Sequence, residues 1–322
     1  RSSAPRSPTR RFEVVGALVH NPKKDGKDIG ELVRTDPIGI AATRDREAFK
    51  ELDVDCVVLT PPAPAAVIKG GLDDDVIDLL ESGKNVVATA AYHNVSMPNW
   101  LSPFRKSPPQ RMLEACRTGG ATLHGTGVHP TFIVERVAMT MAKAMSSVSH
   151  VRSVEAVDFS RAGSMWGGLE ALGFGADPDS LSAESPPVAR GGDIYYGDLT
   201  GNVAHALYGA DSAEVRVETS LRGLPAERDA QVGATTIRKG TAAALHLTHR
   251  GYLGDDHFFT NEECWYLASV PTRPARSAPG AELVYRGGDD LPFGGFTSPI
   301  AYTLVISGEP AEMRTQLEFG IA

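Results

Sequence analysis

Four short apolar runs, spaced by helix-length segments, constrain the first part of this chain more than any other feature. Val14–Val19 (VVGALV), Asp55–Thr60 (DCVVLT), Asn85–Ala90 (NVVATA) and Thr122–Val128 (TLHGTGV) each read as a buried strand. Asp73–Ser82 between them reads as a helix, with carboxylates in its first turn, an apolar face of Val76, Ile77, Leu79 and Leu80, and Gly83 as its stop. A shorter helix, Ile29–Val33, follows the first run, and another opens at Ser107-Pro108-Pro109 and stops at Gly119. Strands joined by helices require right-handed crossovers and a parallel sheet. Such sheets bind ligands beyond the carboxyl ends of their strands. Here those ends are His20-Asn21-Pro22, Thr60-Pro61-Pro62, Ala90-Ala91-Tyr92-His93 and Gly127-Val128-His129-Pro130.

Beyond Pro130 the pattern changes. Thr131–Val148 predicts a long Met-rich amphipathic helix, Val151–Ser160 a strand, and Asp198–Gly209 a helix capped by Asp198. Further strands are expected at Val215–Leu221, Thr235–His249, Cys264–Val270, Glu282–Arg286, Tyr302–Ser307 and Met313–Phe319, with Ser307–Pro310 as a hairpin loop. The expected fold class is therefore α/β. A Rossmann-type parallel sheet domain over residues 1–135 precedes an α+β domain over 136–322, which suits a length of 322 residues. Residues 1–11 (RSSAPRSPTRR) carry no periodicity and read as a tag or leader, and the chain as a fragment lacking both natural ends.

Acidic residues outnumber basic ones, 40 to 32, for a net charge of −8, which argues against nucleic acid or an anionic membrane as partner. There is no apolar run of membrane-spanning length and no secretory leader pattern. Cys56, Cys116 and Cys264 are far apart and form no CxxC, as expected in a reducing cytoplasm.

The glycine signature GxGxxG is absent, and the first apolar run resembles the second strand of a dinucleotide-binding domain. No acid follows it to bind a ribose 2′-hydroxyl. Instead come Asn21, Pro22, Lys23, Lys24 and then Lys27, which suit a 2′-phosphate and hence NADP, or form a solvated lysine loop. HExxH and GxSxG are missing, and no metal constellation stands out. His246 and His249 would face opposite sides of one strand. Glu155 and Asp158 could act as acids or bases, or pair with Arg152 and Arg161. The glycine-rich stretch 163–175 (GSMWGGLEALGFG) is either a loop over an apolar pocket or buried packing.

Several stretches, taken in order, resemble one family. They are FEVVGALVHNPKKDGKDIGEL (12–32), GIAATRD (39–45), DVDCVVLT (53–60), SGKNVVATA (82–90), GTGVHPTF (125–132), ALGFG (171–175) and ISGEP (306–310). The series is similar to the 2,4-diaminopentanoate dehydrogenase-like and native amine dehydrogenase group, proteins with a dihydrodipicolinate reductase N-terminal domain. The resemblance implies an NAD(P)-binding domain, a second domain for substrate and dimerisation, and a homodimer. It implies reversible hydride transfer at an amine-bearing carbon through an imine, with a buried carboxylate handling protons. On that basis Asn21, Pro22, Lys23 and Lys24 would hold the 2′-phosphate, with Thr60 and Pro61 beside the adenine ribose and pyrophosphate. Ala90, Ala91 and Tyr92 would lie toward the nicotinamide. Gly127 and His129 would sit at the substrate end, with Trp166 and Phe174 as pocket walls. The chain departs from the family at its acid: Ala91-Tyr92-His93-Asn94 follows the third run, with no Glu. Tyr92 or His93 would then carry protons, His93 being better matched to neutral pH. The alternatives are a non-catalytic dinucleotide-binding or sensing paralogue, or a reductase of another imine or carbonyl.

Overall fold

The structure is a computed structural model that describes residues 12–61, 72–89, 92, 109–160, 168–185, 187–211, 214–270 and 300–319. Its first sheet is parallel, with β1 (Cys56–Leu59), β2 (Asn85–Ala88) and β3 (Leu123–Gly125) in that order. Short helices α1 (Ile29–Leu32) and α2 (Arg46–Lys50) precede it, and α3 (Asp73–Glu81) and α4 (Pro109–Gly119) cross between its strands. Val57, Val86 and Ala88 pack against Val76, Ile77, Leu80, Met112 and Ala115 to form its core. The ends of α3 and α4 meet so closely that a Cβ on Gly119 would overlap the Leu80 carbonyl oxygen.

The Val14–Val19 run forms less than a strand. Only Leu18 bridges in parallel to Thr43, and Phe12, Val14 and Val15 are 82%, 50% and 43% exposed. An apolar run stays extended in a parallel sheet when neighbours pair both of its edges. Among the described residues it has one neighbour, at one position.

After β3 the chain enters α5 (Val128–Ala138), wound in wide π-type turns, and α6 (Met139–Ala142). The expected helix to Val148 stops at Ala142 because the Ser146 amide donates to the Glu309 carbonyl and Ser147 begins β4. The second sheet has six strands in the order β11-β10-β4-β9-β8-β5. They are β4 (Ser147–Asp158), β5 (Val215–Pro225), β8 (Ala242–Leu253), β9 (Asp256–Tyr266), β10 (Ile300–Glu309) and β11 (Met313–Phe319). β4 and β9 are parallel, and every other pair is antiparallel. A small hairpin, β6 (Ala230–Val232) with β7 (Thr235–Ile237), lies apart. The expected strand Thr235–His249 is thus two, broken by a turn at Gly240 with φ of 88°. Glu282–Arg286 lies outside the described residues.

Helix α8 (Pro187–Tyr208) starts well before Asp198, which lies within it and not at its N-terminus. Proline is tolerated in a first helical turn, so Pro187 can open the helix. Residues of α5, α6 and α8 cover one face of the large sheet. A short helix, α7 (Leu169–Leu172), packs with Phe174, Phe159 and Trp265 farther along that face. The architecture is therefore α/β: a Rossmann-type parallel sheet followed by a mixed sheet with helices on one face.

A Gly119→Ala substitution should lower the free energy of unfolding by about 1–3 kcal/mol, since its methyl group would meet backbone that cannot rotate away. Denaturant unfolding monitored by circular dichroism measures it, and an unchanged midpoint would refute the close-approach argument.

Candidate active site

Two features are candidates for the site. The first is the lysine turn. Asn21 caps a 3-10 turn over Pro22–Lys24, its side-chain oxygen accepting from the Lys23 amide at 2.9 Å. The nearby acids hold backbone. Asp25 accepts from the Arg44 amide at 2.9 Å, and Asp28 accepts from Gly30, Ile38 and Gly39. Those amides, the Ile38 contact foremost, outweigh the opposing effect of desolvation and hold the Asp28 carboxyl below its usual range. Lys23, Lys24 and Lys27 are exposed, and among the described residues no acid forms an ion pair with them. In a chain of net charge −8 this is a built cationic turn.

At the ends of the parallel strands, the Thr89 amide donates to the Leu59 carbonyl and the Thr126 amide to the Ala88 carbonyl. Thr60 is exposed there and Pro61 half-buried. Gly127, at φ of 146°, runs close to the Thr89 carbonyl, where a Cβ would approach to 3.3 Å. His129, extended at φ −124° and ψ 132°, then turns the chain into α5.

The second feature begins at the His129 side chain, which is 4% exposed. It enters a polar band crossing the helix-covered face of the large sheet. Register places Leu304, Ser153, Asn261, His249 and Thr219 in one row, and Tyr302, Glu155, Glu263 and Leu247 in the next. Strand pairs in register point to the same face. Glu263 is fully buried and accepts from the Asn261 side-chain amide. His129 Nε2 lies 3.8 Å from one of its carboxylate oxygens, and His249 Nδ1 lies 3.5 Å from the other. The His129 ring stacks on Tyr302 with 5.2 Å between centroids. Tyr196 on α8 leans over both imidazoles, at 5.7 Å from His129 and 4.7 Å from His249. Glu155 accepts from Tyr302 Oη at 2.9 Å and from Trp265 Nε1 at 3.2 Å.

Burial pushes the Glu263 carboxyl up to about 7, against the pull of His129 and with the help of the Glu155 charge. Its neighbour Glu262 faces the opposite side of the sheet and behaves in the opposite way. Burial would raise it, but hydrogen bonds from His246 at 2.7 Å and Arg152 at 2.6 Å outweigh that and hold it at about 2. Two consecutive glutamates are driven apart by their surroundings, the pattern from which acid and base roles are assigned.

His246, Glu262 and Cys264 also bring three potential metal donors within 4.8 Å, a grouping that sequence spacing did not suggest. It does not suit a cation. Arg152 neutralises Glu262, and His246 Nδ1 lies 3.0 Å from Arg222, which can only donate. A ligating imidazole donates outward from its second nitrogen rather than accepting there.

The sequence-predicted residues divide. Thr60, Pro61 and Gly127 follow the strands of the first sheet, Asn21, Pro22, Lys23 and Lys24 form the exposed turn after the Leu18–Thr43 bridge, and His129 leads into the polar band. Ala90, Ala91, His93 and Trp166 lie outside the described residues. Tyr92 is 2% exposed in the parallel-sheet core, and its hydroxyl donates to buried Asp73 at 3.0 Å rather than standing free at the strand end. Phe174 is no open pocket wall. It is 1% exposed, with its ring 6.0 Å from Phe159. Arg152 pairs with Glu262 and not with Glu155, and Asp158 accepts from the Ser160 and Ala268 amides. His246 and His249 do face opposite sides, as alternation requires. Glu263, His249, Asn261 and Tyr302 were missed. The available signal was Asn261-Glu262-Glu263 in the middle of an apolar, aromatic strand.

No family model matches the chain. It is similar to an amine dehydrogenase of Streptomyces virginiae, 26% identical over 259 residues, which cover 74% of this chain and 64% of the relative. The chain thus spans less than two thirds of that relative's length. Among solved structures it resembles the amine dehydrogenase of Mycobacterium smegmatis, with a TM-score of 0.59, 21% identity, and 94% of this chain and 78% of that one covered. A myo-inositol 2-dehydrogenase of Lactobacillus plantarum aligns at a TM-score of 0.48 and 11% identity, over 95% of this chain and 69% of that one. The likeness to the Mycobacterium smegmatis structure shows the fold.

Glu263 makes a pH prediction with a definite sign. Between its ordinary value of 4.5 and about 7 the folded protein holds a proton that the unfolded chain has released. Its contribution to stability therefore falls as pH rises through that window. A Glu263→Gln variant should gain on the parent by about 3 kcal/mol as pH is raised from 4 to 8. Parallel denaturant titrations measure the difference, and a gap independent of pH would refute the assignment.

Proposed function

We propose that this chain is an NAD(P)-dependent oxidoreductase interconverting an amine with a carbonyl and ammonia through an imine. The observation that carries the reading is the presence in one chain of a lysine turn whose acids are engaged by backbone amides and of a buried carboxylate–imidazole band entered by His129 just after β3. The first fits the anionic end of a dinucleotide and the second fits proton transfer at neutral pH. The similarity to amine dehydrogenases supports the amine as the substrate class.

The residues described fit the adenosine end of the cofactor. The Asn21 amide nitrogen, Lys23 and Lys24 would hold a 2′-phosphate, which favours NADP over NAD, while Thr60 and Pro61 would border the ribose. The cofactor supplies the hydride donor or acceptor. The protein's own part is to orient a small amine or carbonyl against the strand ends, exclude water and move a proton. We further propose a homodimer acting in the cytoplasm, consistent with the free thiols of Cys56, Cys116 and Cys264. No helix among the described residues is long and apolar enough to cross a membrane. The same groups would serve reduction of another imine or carbonyl.

A second reading, a dinucleotide-binding protein without turnover, is favoured by one observation: the Tyr92 hydroxyl after β2 is engaged by Asp73. Calorimetry with NADPH and NADH, followed by an amine-dependent absorbance assay, separates the two. The enzyme reading expects binding and hydride exchange, and the sensor reading expects binding alone. Replacing both Lys23 and Lys24 by Ala should weaken NADPH at least tenfold, equivalent to about 1.5–3 kcal/mol, and leave NADH unchanged. Equal losses for both nucleotides would refute the phosphate assignment.

A further inference from the structure

Each oxidation of an ammonium-bearing carbon to an iminium removes one proton from nitrogen, which frees the lone pair that forms the C=N bond, and one hydride from carbon. Each reduction takes a proton back. Resting on the oxidoreductase reading, we infer that Glu263 of the large sheet stores this proton and that His129 carries it between Glu263 and substrate at the carboxyl ends of the parallel strands. In the oxidative direction the substrate nitrogen gives its proton to the free nitrogen lone pair of His129. His129 then passes a proton from its other ring nitrogen to the Glu263 carboxylate, which becomes the neutral acid. Reduction runs the same transfers backward, so charge and protons balance.

Position supports the assignment. His129 is the residue whose backbone belongs to the strand-end loop while its side chain enters the buried band. Glu263 is fully buried, so solvent reaches it through neighbours rather than directly. The groups facing it are His129 from α5, His249 from β8, Asn261 from its own strand, Glu155 from β4, and the Tyr196 and Tyr302 rings from α8 and β10. Glu155 is occupied by two donors, Tyr302 and Trp265, and is held as an acceptor. Glu263 accepts from one donor, the Asn261 side-chain amide, and has two imidazoles at 3.5–3.8 Å. Among the described residues neither ring nitrogen of His129 has a hydrogen-bond partner, although both are buried. That is costly for a merely structural group. It is what a carrier needs, because its partners change with each transfer. Contacts of this length commonly tighten only when a catalytic complex forms. With no acid after β2, this band supplies a buried carboxylate from the second sheet.

The test uses the full chain with Glu263→Gln, Glu263→Asp and His129→Gln. In the loaded enzyme, Glu263→Gln should lower kcat about 100-fold and abolish the ionisation near pH 7 in its pH profile. KM and nucleotide affinity should hold within about twofold, and Glu263→Asp should restore the ionisation. In the nucleotide-free protein, the nitrogen NMR signals of His129 should show a step near pH 7 that vanishes in Glu263→Gln. An unchanged pH profile in Glu263→Gln, or loss of KM and kcat together with a lowered Tm, would overturn the proposal in favour of a structural role. A flat His129 titration in the parent overturns the proton store itself. No amine turnover by the parent, with the His129 step intact, instead overturns the oxidoreductase reading.

Discussion

The chemistry of this protein depends on how one strand divides two adjacent carboxylates. Side chains alternate along β9, so Glu262 and Glu263 must face opposite sides of the large sheet. On one side Glu262 finds Arg152 and His246 and stays ionised. On the other, Glu263 is enclosed by helices and aromatic rings, where an ionised carboxylate is poorly stabilised. A charge buried without a full partner shifts toward its neutral form. That shift turns a strand residue into a group that exchanges protons near neutrality.

The rest of the fold connects that group to the parallel sheet. The sheet ends at β3, Gly127 lets the chain pass the Thr89 carbonyl, and His129, extended within the first turn of α5, sends its side chain into the band. Helices α5 and α8 close the band from above. Apolar residues bound it on both sides, with Phe259 and Ile306 below and Val157, Leu245 and Trp265 beyond. The polar rows are therefore sealed within a sheet face that is otherwise hydrophobic core. The lysine turn is held by a different means, with Asp25 and Asp28 locking the loop through backbone amides and leaving the ammonium groups outward.

Local patterns were legible in the sequence. Asp73–Glu81, Asn85–Ala88 and Met313–Phe319 were expected within a residue or two, because their periodicity and stops are local. The lysine turn was legible for the same reason. The candidate site was not, because it is a matter of register. Glu263 meets His249 through the β8–β9 pairing and reaches Glu155 and Tyr302 through β4 and β10, over long separations in sequence. Fold position and the family resemblance suggested Tyr92 and Phe174 as site groups, but their rings supply core packing. Strand position can locate a loop, and it cannot say which side chains the loop sends inward.

The central claim is that Glu263 exchanges a proton near neutral pH inside a dry sheet face. Infrared difference spectroscopy of the nucleotide-free protein between pH 6 and pH 8 tests it without any assumed substrate. The account expects a carbonyl-stretch band of a protonated, buried carboxylic acid that disappears on the alkaline side and is absent from the Glu263→Gln variant. A spectrum with no such band, or one that survives in the variant, would contradict it.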